Sequence, residues 1–170
     1  MKKFLAFMLA LSMTGILSAC GNNAPKEAET TGEKQYKIGI VQLVEHEALT
    51  AAYKGFVDGL KEAGLEEGKN IKIDYQNAAG EQANCVTIAD KLVNNNNDLI
   101  LAIATPAAQA VANKTNTIPI LVTAVTDPAG AKLVASNDAP GGNVTGTSDM
   151  APIKKQIELL NKLAPNAKNV

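Results

Sequence analysis

Residues 98–125, DLILAIATPAAQAVANKTNTIPILVTAV, decide the fold of this chain. Two short runs that are nearly all apolar, 98–104 (DLILAIA) and 118–125 (IPILVTAV), flank residues 106–114, which read as a short helix. A strand with one wet face alternates polar and apolar residues; runs this uniformly apolar belong to strands covered on both faces. Strand, short helix and buried strand in succession predict a right-handed βαβ unit in a parallel sheet.

The same alternation extends in both directions. Upstream, residues 36–43 (YKIGIVQL) predict a strand. Residues 48–63 predict a helix, with Leu49, Ala52, Phe56, Leu60 and Ala63 at helical spacing and Gly64 as its stop. Residues 70–76 (NIKIDYQ) alternate, as a less buried strand does, and 81–94 form a second helix with Asn95, Asn96 and Asn97 as its polar exit. Downstream, 128–136 predict a short helix or turn and 143–147 a strand. Residues 152–163 predict a helix with Ile153, Ile157, Leu160 and Leu163 on one face. The expected fold class is α/β, doubly wound, a mostly parallel sheet with helices on both faces.

The N-terminus carries a different message. Lys2 and Lys3 precede an apolar run over 4–16, followed by Leu17-Ser18-Ala19-Cys20. The run falls short of the ~20 residues of a membrane span, so it reads as a processed targeting segment. Small residues before a cysteine, with a polar tail after it, point to lipidation at Cys20. The domain reading is a lipoprotein signal over 1–20, a flexible linker over 21–35, an α/β lobe over 36–165, and a further segment beginning at 166–170. Within the linker, 21–34 (GNNAPKEAETTGEK) hold no large apolar residue.

Composition removes several classes of function. All sixteen basic residues are lysines, the formal net charge is −1, and there is no Trp. Neither a nucleic-acid surface nor an aromatic stacking platform is indicated. Without arginine, a carboxylate ligand must be held without a bidentate guanidinium clamp. With Cys20 lipidated, Cys85 is left alone; it shares a helical face with Ile88, Ala89, Leu92 and Val93, as a small buried hydrophobe does. One His and one spare Cys make no zinc site. No nucleophile elbow, Walker loop, GxGxxG or metal cluster is present, so no enzyme and no cofactor are expected. Gly141-Gly142-Asn143 reads as a tight turn.

In open α/β sheets ligands bind beyond the carboxyl ends of the strands. Four loops lie there: 42–47, 105–109, 123–128 and 146–150. Thr105-Pro106 reads as a helix start with Thr as N-cap and Pro at the first helical position. The backbone N–H groups of Ala107 and Ala108 would then leave the helix end, a seat for a carboxylate; a cap and nothing more is the competing reading. Thr126-Asp127-Pro128 repeats the arrangement with an acid, either a cap alone or a cap that also faces an ammonium. Ser148-Asp149 poses the same choice. His46 sits among acids in a loop, as a solvated residue or at a ligand's edge, and Gln42 and Gln109 are neutral hydrogen bonders.

The runs 36–43, 55–60 (GFVDGL), 104–110 (ATPAAQA), 122–128 (VTAVTDP) and 141–149 (GGNVTGTSD) together resemble the ABC-transporter substrate-binding proteins of the tryptophan/tyrosine type. The resemblance covers residues 36–170. It implies a type I periplasmic-binding-protein-like lobe in a receptor lipid-anchored outside the cytoplasmic membrane. Such a receptor captures an aromatic amino acid or similar small solute and hands it to an ABC permease and its ATPase. By position, Thr105, Ala107 and Gln109 would lie at the ligand carboxylate, Thr126 and Asp127 near its ammonium, with Ser148 and Asp149 closing the rim. The family has two lobes that close on the ligand. Here 152–163 resembles the helix leading to the crossover, and 166–170 the first strand of the next lobe. The expectation is therefore a truncated chain holding one lobe, weak in binding, with an exposed cleft face inclined to self-association. A membrane-tethered solute-sensing domain for a signalling partner is the alternative reading.

Overall fold

The structure, a computed structural model, describes residues 34–166, 168 and 169. The targeting segment, Cys20 and the linker up to residue 33 lie outside the described residues. In chain order the elements are β1 (Tyr36–Gln42), α1 (Glu47–Glu62), β2 (Ile71–Asn77), α2 (Gln82–Asn94), β3 (Leu99–Ile103), α3 (Thr105–Ala112), β4 (Ile120–Val125), β5 (Val144–Ser148) and α4 (Ile153–Leu163). The five strands form one sheet in the order β2-β1-β3-β4-β5. Every pairing is parallel, so all the strand carboxyl ends fall on one edge.

The alternation of side chains along each central strand sorts the core into two layers. Ile38, Ile40, Leu101 and Ile103 pack with Leu49, Tyr53, Phe56 and Leu60 of α1. On the other face Val41, Ile100, Ala102, Ile120 and Val122 pack with Cys85, Ala89 and Leu92 of α2 and with Ala107, Ala108 and Val111 of α3. The sheet is thus doubly wound, with helices on both faces as expected. Burying each Ile or Leu in these layers contributes about 1.5–3 kcal/mol. Burial also pushes the Cys85 thiol above its ordinary pKa, as befits a core residue rather than a nucleophile.

Two glycines are required by close approach. A Cβ on Gly39 of β1 would lie 2.9 Å from Asn97 Nδ2 and 3.0 Å from Leu92 Cδ2. A Cβ on Gly146 of β5 would run into the backbone carbonyl and N–H of Val122, where the β4–β5 register shifts between Val122 and Val125.

The segment 128–136 resolves to turns rather than a helix. Ala131 N–H donates to the Asp127 carbonyl at 2.8 Å and Leu133 N–H to the Pro128 carbonyl at 2.9 Å. Helix α4 forms where its periodicity places it, yet none of its residues is buried. Ile153, Ile157 and Leu163 are 58%, 49% and 75% exposed. Lys168 and Asn169 have no regular structure, and the rest of 167–170 lies outside the described residues. No described helix is long and apolar enough to cross a membrane.

Candidate functional site

The loops at the carboxyl edge follow the strand order, so the β1–α1, β3–α3, β4 and β5 exits stand side by side. At the first exit Gln42 is fully buried. Its Nε2 donates to the Val44 carbonyl at 2.8 Å and to Thr50 Oγ1 at 3.3 Å, fastening the turn onto the first turn of α1. Its Oε1 is buried and has no partner among the described residues. Gln42 is therefore a brace beneath the loop and not a solvent-facing group in this conformation. His46 is exposed and serves as the N-cap of α1, its Nδ1 accepting Ala48 N–H at 3.3 Å. Beside it, Glu45, Glu47, Thr50 and Lys54 line an open concavity of about 440 Å³.

At the second exit the helix begins differently from expectation. The N-cap of α3 is Ala104, and Thr105 is already the first helical residue with Pro106 behind it. Ala104 has φ +82° and ψ 152°, a conformation that non-glycine residues rarely adopt and that costs about 1–3 kcal/mol. Hydrogen bonds on both sides hold it: its N–H donates to the Thr123 carbonyl, and its own carbonyl accepts Ala108 N–H, each at 3.0 Å. Ala108 N–H is thus already used, and both Ala107 and Ala108 are fully buried. The expected seat of outward N–H groups at Ala107 and Ala108 is not open in this conformation; the half-buried Thr105 is the polar group at that helix start. Gln109 also turns away from the edge. Its Nε2 donates to the Ala131 carbonyl at 3.1 Å, tying α3 to the 128–132 turns.

The third and fourth exits are knitted together. Ala124 has φ +54°. Ser148 Oγ donates to the Thr126 carbonyl at 2.6 Å and accepts Met150 N–H at 3.2 Å. Thr147 Oγ1 donates to Thr123 Oγ1 at 3.1 Å, and Asp149 N–H to the Val125 carbonyl at 3.3 Å. Asp127 Oδ1 accepts Gly130 N–H at 2.9 Å, so the expected acid cap is present on a turn rather than on a helix. Thr126, Asp127, Ser148 and Asp149 are therefore brought together, with the Asp149 side chain exposed. Behind them Pro128, Asn137, Thr145 and Ser148 line a cavity of about 110 Å³. On the α1 face Ala52, Phe56, Leu101, Leu121 and Thr123 line an apolar hollow of about 250 Å³. None of these cavities takes in Thr105 with Thr126 and Asp127.

Hydroxyls, one capping carboxylate and backbone groups make this edge a surface for hydrogen-bonding a polar solute. Among the described residues no group of three His, Cys, Asp or Glu is placed to hold a metal. Sequence reasoning missed Ala104, from which the β3 loop departs, and Ala124, which sits in the β4–β5 register shift. Nothing in an alanine's identity signals a positive φ.

A parallel doubly wound sheet presents the loops where such folds bind ligands at the strand carboxyl ends, here with polar groups gathered on that edge. The profile of the family described as ABC transporter substrate binding protein matches residues 37–170, and the chain belongs to that family. It is 49% identical over 168 residues to a tyrosine-binding protein of Clostridioides difficile (strain R20291), covering 98% of this chain and 49% of the relative. Among solved structures it resembles the ABC domain from Streptococcus pneumonia in complex with L-Trp, at 47% identity and TM-score 0.74, over 78% of this chain and 45% of that one. A ligand-free, open substrate binding protein with adhesive properties from Clostridium difficile matches at 51% identity and TM-score 0.73, over 78% and 45%. The chain spans about half the length of these relatives.

Proposed function

We propose that this chain supplies a solute-binding lobe to the receptor of an ABC importer, and that its solute is an aromatic amino acid, tyrosine or tryptophan. The observation that carries this reading is the 49% identity to a tyrosine-binding protein, spread across 98% of the chain. A neighbour with bound L-Trp at 47% identity supports the same ligand class.

In this reading Thr105 stands at the carboxylate of the solute and Thr126 and Asp127 at its ammonium, with Ser148 and Asp149 along the rim. One Asp127 oxygen caps Gly130, and a carboxylate has a second oxygen with which to meet a cation. Gln42, Ala107 and Gln109 act from behind, by holding the loops. Cys20 carries the lipid that keeps the receptor outside the membrane and beside its permease.

A single lobe offers one wall of a two-sided cleft, so binding by residues 21–170 alone is expected to be weak, in the millimolar range. Equilibrium dialysis with radiolabelled tyrosine and tryptophan tests this. Loss of both labels to a large excess of unlabelled tyrosine supports the assignment, whereas retention of neither label at any concentration contradicts it. Mass spectrometry of the membrane fraction tests the anchor: a diacylglycerol-modified Cys20 is expected, and an unmodified N-terminus at another residue contradicts it.

A further inference from the structure

The amino-terminal edge of the sheet, opposite the solute-binding edge, carries a separate cavity of about 420 Å³ lined by Lys37, Lys72, Ile73, Asp74, Asn95 and Asn97. We propose that it is a site for a phosphate group, as the free ion or as a small monoester, held between the ammoniums of Lys37 and Lys72. These two lysines are direct register partners on the parallel strands β1 and β2. Like charges placed opposite one another across a sheet repel, and a bridging anion removes that repulsion. Lys72 makes no ion pair among the described residues. Among the described residues Lys37 Nζ donates only to a neutral group, the Asn95 carbonyl at 3.4 Å.

The acid in the cavity does not compete for these ammoniums. Asp74 is 3.4 Å from Lys91 Nζ, accepts Asn95 Nδ2 at 3.2 Å and is also bonded by Gln76. With Asp74 paired to Lys91, and Asp98 beside Lys37 paired to Lys34, the Lys37 and Lys72 ammoniums are the two positive charges left over, which matches a phosphate dianion. Asn97 fixes the floor. It is buried, donates its Nδ2 to the Leu92 carbonyl at 2.6 Å, and fits only because Gly39 beneath it has no side chain. The volume exceeds that of a bare ion, leaving room for a small ester group.

Titration of the chain with sodium phosphate, followed by backbone amide shifts, tests the site. Saturable shifts at residues 37, 72, 95 and 97 are expected, weakening as salt rises. Lys72→Gln is expected to weaken binding by roughly fivefold or more, with Lys72→Arg restoring it. A parallel titration with glycerol phosphate separates the sources: tighter binding than inorganic phosphate assigns a monoester, equal or weaker binding the free ion. Shifts reproduced by sodium chloride at equal ionic strength, or unchanged affinity in Lys72→Gln, would overturn the proposal.

Discussion

Asp127 has a structural task that is visible and a ligand task that is proposed, and substitution separates them. Asparagine keeps an oxygen acceptor for Gly130 N–H but removes the charge, whereas alanine removes both. Asp127→Asn is expected to unfold at the same denaturant midpoint as the parent chain while binding tyrosine more weakly. Asp127→Ala is expected to lose about 1 kcal/mol of stability besides. Equal binding by the parent and Asp127→Asn would confine Asp127 to its cap. At this scale the sequence was read well where side-chain chemistry sets the role and poorly where the backbone does. An acid before proline announces a cap. Ala104, which caps α3 at φ +82°, looks like any alanine, so the sequence points one residue late, to Thr105. The full burial of Gln42 and the bond from Gln109 to Ala131 depend on tertiary contacts that no local pattern records.

At the scale of elements, the ties at the start of the central strands give a pH signature. Asp98, just before β3, accepts Lys37 N–H of β1 at 2.8 Å and lies 3.6 Å from Lys34 Nζ. The Lys37 N–H chiefly, and the Lys34 charge after it, hold its carboxyl below the ordinary 3.8. A depressed folded-state pKa stabilises the fold above the ordinary value, and the effect is lost as pH falls through the depressed one. Asp98→Asn is therefore expected to lower the denaturant midpoint at pH 7, with the gap from the parent chain closing in strong acid. A gap that persists unchanged at low pH would contradict the assignment. Helices differ as sharply as strands. Leu92 of α2 is fully buried, so Leu92→Ala is expected to cost about 2–5 kcal/mol. Ile157 of α4 is half exposed, and Ile157→Gln is expected to change stability by less than about 0.5 kcal/mol. Urea unfolding of the two variants checks both values. Among the described residues periodicity located α1, α2, α4 and the alternating strand β2, whereas β3 and β4 were legible from uniform apolar runs. Periodicity gave α4 an apolar face without revealing that Ile153, Ile157 and Leu163 on that face stay exposed.

For the whole molecule, the apolar runs at 98–104 and 118–125 mark two adjacent parallel strands inside the sheet, and the strand–helix alternation on either side of them completes the doubly wound pattern. The site was only partly legible. Its edge follows from topology, and the strand order brings Thr126, Asp127, Ser148 and Asp149 together. The cavities beside them remain separate, since a pocket wall built from distant segments has no signature in any one stretch. The central claim is that this edge receives an aromatic amino acid against one lobe. Titration of the chain with L-tyrosine, followed by backbone amide shifts, tests it most directly. Millimolar, saturable shifts are expected at Thr105, Thr126, Asp127 and Ser148, with those at Lys37 and Lys72 unmoved. Micromolar affinity, or shifts that avoid the carboxyl edge of the sheet, would contradict it.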